Sequence, residues 1–514
     1  MALTLDACTL ILKEHHLLKS VALNGDPTLN MTGIAYDSRQ VTADTLFFCK
    51  GNFRPVYLTD AKELGAVTYV AEKALVEGNG MNALIVTNVQ KAMAVLSAAF
   101  YDYPQDSLFI VAYTGTKGKT TAAYFTQSIL QAATRQKTAL FSTIDRVLGP
   151  KPVDRFKSDL TTPESLDLFR DMRKAVENGM THLVMEVSSQ AYKKNRVYGL
   201  TFDVGFFLNI SPDHVGPNEH PSFEDYLHCK LQLLVNSRHC VINAQTQYFT
   251  DVYAAATATT DAKSIYLFAE ADYQSDQPVT IDFRFENLET GLAESRFKIT
   301  AASTKAIQLG LSGSYQLRLI GDFNESNATA AVIGAGLAGA DLTRAQQGIR
   351  DLQIPGRMET LAVPGHGQVY VDYAHNYASM KALLSFLQKE YKQPRLLVVV
   401  GSPGDKGVSR RAGFSQVLNE YADRAILTTD DPGFEDPAAI ASEILAGIDQ
   451  QKVVTTVEID RAAAIEQAIV ESKPGEIVVL AAKGADAYQK VRGVDTPYPT
   501  DMVIAKQVAA RLAN

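Results

Sequence analysis

The chain has 514 residues, with 49 lysines and arginines against 57 aspartates and glutamates, so its formal net charge is −8. This acidic balance argues against a general nucleic-acid-binding protein, which is usually basic overall, but local positive charge can still hold an anionic ligand. At roughly 150 residues per domain, the length indicates about three domains. Hydrophobic residues at 46% and charged residues at 21% are typical of a globular rather than a disordered protein.

Membrane and secreted classes are also disfavoured. The longest weakly polar run, residues 328–340, is shorter than the roughly 18 apolar residues of a membrane-spanning helix. The N-terminus has no basic start followed by an apolar segment, so we expect no secretory signal. Cys8, Cys49, Cys229 and Cys240 lie far apart, which favours buried reduced thiols over disulfides or a zinc site. We therefore expect a cytoplasmic protein.

Short apolar runs and turns make up the first hundred residues, and the Tyr-Pro-Gln-Asp segment 103–106 is a plausible domain joint. Beyond it, apolar runs of strand length alternate with helical patterns such as 120–133. These runs cover residues 108–113, 181–187, 203–210 and 238–243. Such alternation predicts a largely parallel sheet with crossover helices.

A second alternating pattern lies near the C-terminus, with predicted helices at 378–390 and 437–448. Its predicted strands are 368–373, 395–400, 424–429 and 476–481. Proline and glycine in segment 352–356 indicate a linker. The sequence thus predicts an α/β protein with three domains, at 1–105, 106–353 and 354–514.

The sharpest local pattern is TGTKGKTT at 114–121, between an apolar strand and an amphipathic helix. Glycines let the backbone turn tightly and direct N–H groups at phosphate oxygens, and the helix N-terminus adds positive potential. Lys119 is expected to reach the terminal phosphates and Thr120 to help hold Mg²⁺. The spacing is shorter than in the standard phosphate loop, and a strand–helix turn without a ligand is the alternative. The combination favours ATP binding.

With further motifs added, the chain resembles the Mur ligase family, the ATP-dependent amide-bond synthetases of peptidoglycan assembly. The phosphate loop is similar to that family's TGTNGKTT, with Lys117 in place of asparagine. The other matching segments follow in order: YDSRQV at 36–41, LTTPE at 160–164, MEVSSQ at 185–190, FLNISPDH at 207–214, IGDFNESN at 320–327, GRME at 356–359, VDYAH at 371–375 and DKG at 405–407. YDSRQV and MEVSS most resemble the ligase that adds the third peptide residue.

The resemblance implies a domain for the UDP-sugar, a central phosphate-loop, parallel-sheet ATPase domain and a Rossmann-like C-terminal domain that selects the amine. It also implies the reaction. ATP phosphorylates the terminal carboxylate of UDP-N-acetylmuramoyl-L-alanyl-D-glutamate, and an amine attacks the acyl phosphate. Because ATP, the carboxylate and the acyl phosphate are all anionic, the site needs metal and cationic side chains.

Residue by residue, the resemblance assigns Glu186, His214 and a carbamylated Lys230 to Mg²⁺ coordination, together with Thr120, and gives Lys119, Lys230, His214 and Glu186 catalytic roles. The expected ATP contacts are Gly115, Thr116, Lys117, Gly118, Lys119, Thr120, Thr121, Asn324, Asn327, Arg357, Asp372 and His375. Taken singly, Glu186 is more typical of a solvated strand end, His214 of a structural histidine and Lys230 of an exposed helical lysine. The segment 372–375 by itself is equally a strand-end turn.

For the UDP-sugar-peptide, the resemblance implies contacts from Ser38, Arg39, Thr161, Thr162, Ser188 and Arg196. Arginine suits phosphate or carboxylate because its donors form a planar fork. Taken singly, Arg39 and Arg196 are each typical of an arginine on the protein surface. Thr162 followed by proline is also a helix N-cap pattern, which is compatible with ligand binding.

The incoming amine should be selected by Asp430, Asp431, Gly484 and Asp486. Family members that add meso-diaminopimelate carry DNPR, whose arginine pairs with the distal carboxylate, whereas this chain has DDPG at 430–433. A carboxylate at Asp431 suits a side chain that ends in ammonium and disfavours a zwitterionic end. L-Lysine is therefore the expected substrate, with L-ornithine the near competitor and meso-diaminopimelate the third option. The tetrapeptide is also a plain turn pattern.

Two other functions remain open at this point. A folylpolyglutamate or cyanophycin-type ligase uses similar ATP chemistry on another acid, and a nucleotide-dependent binding protein retains a phosphate loop without catalysis. The DSR segment and MEVSSQ favour the muramyl-peptide substrate. The expected partners are small molecules only, with no nucleic acid or membrane, and the resemblance favours a monomer.

Overall fold

The computed structural model describes residues 2–135, 137–212, 215–216, 219–290, 294–318, 323–350, 352–405 and 407–513. It contains two compact units. The first comprises Met1–Phe285, Ile299–Gly313 and Ser326–Gly348, and the second comprises Glu286–Lys298, Ser314–Glu325 and Ile349–Asn514. The three-domain division at 105 and 353 stays a prediction, because compactness separates only these two units.

The first unit begins with a small five-stranded sheet covered by helices. Its elements are α1 (Leu5–Glu14), β1 (Leu18–Ala22), β2 (Gly33–Ala35), β3 (Thr45–Phe48), α2 (Pro55–Glu63), β4 (Ala66–Ala71), β5 (Asn82–Val86) and α3 (Val89–Phe100). The strand order is β1-β5-β4-β3-β2, and only β1 is antiparallel to its neighbour. Strands β3 to β5 are almost wholly apolar and buried, as expected for parallel strands packed on both faces.

A larger, mainly parallel sheet follows in the same unit. Its elements are β6 (Phe109–Thr114), α4 (Lys119–Thr134), β7 (Thr138–Phe141), β8 (Asp145–Val147), β9 (Arg155–Lys157), α5 (Ser165–Glu177), β10 (His182–Glu186), α6 (Ser189–Lys193), β11 (Phe202–Phe207), α7 (Phe223–Val235), β12 (Ser237–Asn243), α8 (Phe249–Thr257) and β13 (Ile265–Glu270). The predicted strands, helix and crossover topology are confirmed. The antiparallel strands β8 and β9 at one edge are an addition that the apolar pattern did not indicate.

The strand order places the phosphate loop at the middle of this sheet. Strand β6 lies between β10 and β11, and all three run parallel. The carboxyl ends of parallel strands meet at one edge, where open α/β sheets bind their ligands. The segments that follow β6, β10 and β11 are therefore neighbours, although they are far apart in sequence.

Elements with residues in both units come next. They are β14 (Phe283–Thr290), β15 (Ser295–Ala301), β16 (Gly313–Leu317), α10 (Phe323–Leu337) and α11 (Leu342–Arg350). Helix α9 (Thr304–Gln308), between β15 and β16 in the chain, belongs wholly to the first unit. Helix α10 contains most of the weakly polar run noted above. Among the residues that the structure describes, no helix has the length and apolar character needed to cross a membrane.

The second unit contains a doubly wound α/β sheet. Its elements are β17 (Glu359–Leu361), β18 (Gln368–Asp372), α12 (Tyr377–Glu390), β19 (Leu396–Val400), α13 (Ser409–Tyr421), β20 (Arg424–Leu427), α14 (Pro437–Ala446), β21 (Val454–Val457), α15 (Arg461–Glu471), β22 (Ile477–Ala481), β23 (Tyr488–Val491), β24 (Val494–Pro497) and α16 (Asp501–Leu512). The order β17-β18-β22-β19-β20-β21 is parallel except for β17. The predicted C-terminal strands, helices and α/β class are confirmed.

All four cysteines are free and buried, as the sequence predicted. Burial raises the pKa of the Cys229 and Cys240 thiols to about 11. Both thiols are therefore protonated at neutral pH, and protonated thiols are poor nucleophiles and poor metal ligands.

A buried ion pair lies inside the second unit. Arg461, at the start of α15, donates from Nε and Nη2 to the two carboxylate oxygens of Asp501 at 2.8 and 2.6 Å. The Tyr498 hydroxyl and the Ala481 carbonyl complete the network. Both charged side chains have no exposed surface, so removing either charge leaves the other uncompensated.

We predict that Asp501→Asn lowers the free energy of unfolding by about 3–5 kcal/mol, because it strands a buried guanidinium. Urea titration followed by circular dichroism measures the loss. The matched control is Glu466→Gln, which removes the exposed Arg511–Glu466 pair between the same two helices and should have a far smaller effect. Equal losses in the two variants would contradict the assignment.

Candidate active site

The phosphate loop joins β6 to α4 with the geometry that its glycines allow. Gly118 adopts φ +83° and stands at the N-cap of α4. This left-handed conformation favours glycine, and the N–H groups of the first turn that follows have no acceptor within the helix itself. Thr120 and Thr121 are buried in that first turn. The loop therefore has the backbone arrangement of an anion site.

Two lysines meet at one carbonyl oxygen of this loop. Lys119 Nζ donates to Gly115 O at 2.8 Å and to Thr116 O at 3.3 Å. Lys230 Nζ, from helix α7, donates to the same Gly115 O at 2.7 Å. Lys230 is only 2% exposed, so the interpretation as an exposed helical lysine is wrong. The structure thus brings together two predicted residues that are 111 positions apart in the sequence.

Glu186 ends strand β10, next to the strand that leads into the phosphate loop. Its carboxylate accepts hydrogen bonds from the Thr143 N–H at 2.7 Å and the Thr143 hydroxyl at 3.1 Å. The residue is 1% exposed, so the alternative of a solvated strand end is wrong. Thr143 was not predicted, because no sequence pattern marks it and only the register of β7 beside β10 brings it here. His214 lies outside the described residues.

The loop after β11 anchors the phosphate loop from the other side. The Lys117 N–H donates to Asn209 Oδ1 at 2.9 Å, and Asn209 Nδ2 donates back to the Lys117 carbonyl at 3.1 Å. Thr116 Oγ1 lies 3.0 Å from the Tyr226 hydroxyl. Lys117, the departure from the family pattern, therefore keeps its backbone in a closed hydrogen-bonded ring.

Thr161, Thr162 and Ser188 lie around the end of β10. Thr162 Oγ1 donates to the Glu186 carbonyl at 3.0 Å and accepts from the Ser188 N–H at 3.0 Å, while Thr161 Oγ1 lies 3.1 Å from Thr143 Oγ1. Helix α5 begins at Ser165, with Glu164 at its N-cap. The predicted N-cap role of Thr162 is therefore wrong, because its hydroxyl serves the turn after β10.

Arg196 is held by a buried charge cluster. Its guanidinium contacts Glu164 at 2.9 Å, and Lys50 Nζ contacts the other oxygen of Glu164 at 2.6 Å. Burial by itself would raise the pKa of Glu164, but the charges of Arg196 and Lys50 hold it below its usual value. Two cations share one anion here, which leaves the cluster one positive charge in excess. Lys50 was not predicted, since a lone lysine after a strand carries no pattern.

The two residues predicted at the nucleotide end differ in environment. Ser38 is buried in a short 3₁₀ turn, whereas the Arg39 side chain is 87% exposed and pairs with Asp37 at 2.6 Å.

Asn324 and Asn327 are buried near the start of α10. The Asn327 carboxamide lies where a side chain on Gly118 would stand, so Asn327 belongs to the wall of the phosphate loop.

Within the second unit, Arg357, Asp372 and His375 gather around Tyr373. The Arg357 guanidinium lies 4.8 Å from the centre of the Tyr373 ring, and His375 Nδ1 lies 2.8 Å from the Tyr373 carbonyl. Asp372 accepts from the Met358 N–H at 2.9 Å, and burial raises the pKa of its carboxyl group. The structure therefore brings these three residues together, and their contact with ATP stays a prediction.

The predicted amine-selecting residues form an acidic cluster around an internal lysine. Lys483 is 1% exposed, and its ammonium lies 2.5 Å from Asp431 and 3.4 Å from both Asp430 and Asp486. Burial would lower the pKa of Lys483, but Asp430 and Asp431 raise it. Gly484 takes φ +55° beside this lysine. The cluster therefore contains three carboxyl groups and one ammonium group. The central position of Lys483 was not predicted.

Two family models match the chain: the Mur ligase middle domain over residues 113–335 and the Mur ligase glutamate ligase domain over residues 356–484. The UDP-N-acetylmuramyl-tripeptide synthetase of Latilactobacillus sakei subsp. sakei (strain 23K) is 88% identical over 513 residues, which cover 100% of each chain. The chain belongs to the Mur ligase family. The glycine loop, Glu186 and Lys230 all lie within the matched middle domain.

A more distant relative supports the same family, and a solved structure shares the fold. The UDP-N-acetylmuramoyl-L-alanyl-D-glutamate–L-lysine ligase of Enterococcus faecalis (strain ATCC 700802 / V583) is 52% identical over 480 residues, covering 93% of this chain and 91% of its own. A solved UDP-N-acetylmuramoyl-L-alanyl-D-glutamate–2,6-diaminopimelate ligase shares the fold, with a TM-score of 0.65 and 24% identity over 100% of both chains.

We predict that Glu164→Gln lowers the free energy of unfolding at pH 7 by about 3 kcal/mol, because Lys50 and Arg196 lose their shared counter-ion. The folded-state pKa of Glu164 lies below the unfolded value of about 4.3, so the stabilisation is present above that pH and is lost as the pH falls through the folded-state pKa. Urea titrations between pH 7 and pH 3 should therefore show the wild-type advantage shrinking in acid.

The control for this pH dependence is Glu177→Gln on the same helix. Glu177 forms a half-exposed pair with Arg173, so its loss should be below about 1 kcal/mol. A pH-independent difference between wild type and Glu164→Gln would show that the carboxylate charge does not stabilise the cluster.

Proposed function

We propose that this protein is the ATP-dependent ligase that joins L-lysine to UDP-N-acetylmuramoyl-L-alanyl-D-glutamate in the cytoplasmic synthesis of peptidoglycan precursors. The observation that carries the proposal is the meeting of Lys119 and Lys230 at the Gly115 carbonyl, with Glu186 at the end of the adjacent strand. Membership of the Mur ligase family and the 52% identity to a lysine-adding ligase support it.

The proposed reaction has two chemical steps. An oxygen of the substrate carboxylate attacks the terminal phosphorus of ATP, which forms an acyl phosphate and releases ADP. The amine nitrogen then attacks the acyl carbon, the carbon–oxygen bond to phosphate breaks, and phosphate leaves while the amine loses a proton. Lys119 and the loop N–H groups hold the phosphates and stabilise the charge that builds up between them.

Mg²⁺ fits the donors near the loop. The Thr120 hydroxyl and the Glu186 carboxylate are hard oxygen donors of the kind Mg²⁺ prefers, and the bound ion would neutralise phosphate charge. An ammonium at Lys230 does not fit a metal site, because it repels a cation. A carbamate, formed when the Lys230 amine adds CO₂ and releases a proton, supplies an anionic oxygen instead. We therefore propose that Lys230 acts as a carbamate.

The UDP-sugar-peptide is assigned to Ser38, Arg39, Thr161, Thr162, Ser188 and Arg196. The strongest support is the excess positive charge around Glu164, since Lys50 and Arg196 together suit a diphosphate or carboxylate. The nucleotide contacts of Asn324, Asn327, Arg357, Asp372 and His375 remain part of the proposal. We propose a monomer whose partners are these small molecules.

Selection of L-lysine is assigned to the acidic cluster. Asp430, Asp431 and Asp486 outnumber the single internal ammonium of Lys483, so the cluster attracts a second cation and repels a carboxylate. Both features suit a diamino acid whose side chain ends in ammonium. L-Ornithine has the same charge and differs only in length, which keeps it the near competitor.

The purified enzyme with UDP-N-acetylmuramoyl-L-alanyl-D-glutamate, ATP and Mg²⁺ should prefer L-lysine over meso-diaminopimelate by at least about tenfold in kcat/KM, because the carboxyl groups around Lys483 outnumber its ammonium and repel a distal carboxylate. Mass detection of the tripeptide product measures the preference, with L-ornithine as the length control. The Lys119→Ala variant should fold but form no ADP. Preference for meso-diaminopimelate would refute the substrate assignment.

Lys230→Ala should lose activity by about 100-fold, and short carboxylates such as acetate should restore part of it by replacing the carbamate oxygens. Product formation is measured with and without acetate, against a chloride control of equal ionic strength. The matched variant is Lys194→Ala, which removes an exposed lysine. It should keep wild-type activity, and acetate should not alter that activity. Failure of acetate to raise the activity of Lys230→Ala above the chloride control would remove the carbamate role.

A further inference from the structure

A serine, a histidine and an aspartate form a hydrogen-bonded array beside the phosphate site. His220 Nε2 lies 2.9 Å from Ser189 Oγ, and His220 Nδ1 lies 2.7 Å from Asp225 Oδ2. His220 is fully buried and Ser189 is 3% exposed. Lys193 completes the group, with its ammonium 3.0 Å from Asp225 Oδ2.

The charges fix the direction of these hydrogen bonds. Asp225 already has the Lys193 ammonium as its counter-ion, and the hydrogen bond from His220 is the main cause that holds the pKa of Asp225 below its usual value. A second cation on the fully buried His220 ring would be costly. A neutral ring therefore donates from Nδ1–H to Asp225, and its bare Nε2 accepts the Ser189 hydroxyl proton.

The array connects two elements that carry proposed site residues. Ser189 begins helix α6, directly after Ser188, whose N–H is held by Thr162. Asp225 lies in the first turn of helix α7, which carries Lys230. The array therefore sets the distance between the Ser188 turn and the helix of the carbamate candidate.

A second contact extends from the histidine to the phosphate loop. The rings of His220 and Tyr226 meet edge-to-face at 5.3 Å, and the Tyr226 hydroxyl lies 3.0 Å from Thr116 Oγ1. Lys230 Nζ stands 4.8 Å from the centre of the Tyr226 ring. Tyr226 therefore packs against His220 and contacts both the loop and Lys230.

We propose that His220 is a positioning residue of the ligase, which fixes the Ser189 hydroxyl and aligns the Ser188 turn with helix α7. This inference rests on the proposed function for the identity of the substrate. It assigns a role to three residues, Ser189, His220 and Asp225, to which neither the sequence analysis nor the proposed reaction gave one.

Two other roles fit the geometry less well. A nucleophilic serine must reach its substrate, but both Ser189 and His220 are buried. His220, Asp225 and Cys229 have donor atoms within 4.8 Å of one another, which suggests a metal site. However, the Lys193 ammonium lies on the same carboxylate oxygen, and the Cys229 thiol has a pKa of about 11, so a cation would meet an occupied ligand and a protonated one.

The kinetic test separates the two hydrogen bonds of the ring. In His220→Asn the side-chain amide replaces Nδ1 and keeps the bond to Asp225, whereas in His220→Gln it replaces Nε2 and keeps the bond to Ser189. We expect His220→Asn and Ser189→Ala each to lower kcat/KM for the UDP-muramyl-dipeptide by about 10- to 100-fold, with the KM for ATP unchanged. His220→Gln should retain more activity than His220→Asn.

His228→Gln replaces an exposed histidine on helix α7 and is the matched control, which should behave as wild type. The double variant Ser189→Ala/His220→Asn should lose no more than the worse single variant, because both remove one interaction. The positioning role would be overturned if the fold-losses of the two single variants multiplied in the double variant. It would also be overturned if the KM for ATP rose as much as the KM for the dipeptide.

A readout that does not depend on turnover keeps this inference distinct from the proposed function. In ¹⁵N-histidine-labelled enzyme at pH 8, the signal that disappears in His220→Gln should show a protonated Nδ1 and a bare Nε2, and Ser189→Ala should shift that Nε2 resonance. An Nε2–H tautomer or a doubly protonated ring would overturn the inference. If wild type makes no tripeptide while this signature is present, the proposed function fails and the array stands.

Discussion

The carbonyl oxygen of Gly115 accepts hydrogen bonds from both Lys119 and Lys230, and much of the surrounding structure serves that contact. Lys119 comes from the helix that follows the loop, and Lys230 from a helix more than a hundred residues later. For both to reach one oxygen, β6 must lie beside β10 and β11, and α7 must pack close to the loop through Tyr226. The parallel sheet supplies the first condition and buried hydrogen bonds supply the second.

Concentrated positive charge at the loop is matched by buried carboxylates elsewhere in the first unit. Glu186 is oriented by both donors of Thr143, and Glu164 holds Lys50 and Arg196 together. A buried charge is tolerated when it is paired and hydrogen-bonded. These pairs therefore fix the directions of the Glu186, Arg196 and Lys50 side chains in the absence of any ligand.

In the second unit the described cluster has an excess of acidic rather than basic groups. Lys483 holds Asp430, Asp431 and Asp486 around itself, so acidic groups that would repel one another are kept together by an internal cation. The cluster still contains more carboxyl groups than ammonium groups. This division of charge suits the proposed binding of anions by the first unit and of a diamino acid by the second, and the net charge of the whole chain hides it.

The sequence by itself determined the α/β class, most buried strands, the phosphate loop and the family, because apolar periodicity and short motifs are local properties. It also identified Glu186, Lys230 and Thr162 as candidates, but not their burial or their partners. Only the tertiary structure decided that Thr143 orients Glu186, that Lys50 shares Glu164 with Arg196, and that Thr162 serves the turn after β10 instead of capping α5. The same holds for Lys483 and His220. Their roles depend on contacts between residues distant in sequence, and strand order and helix packing create those contacts without leaving a local pattern.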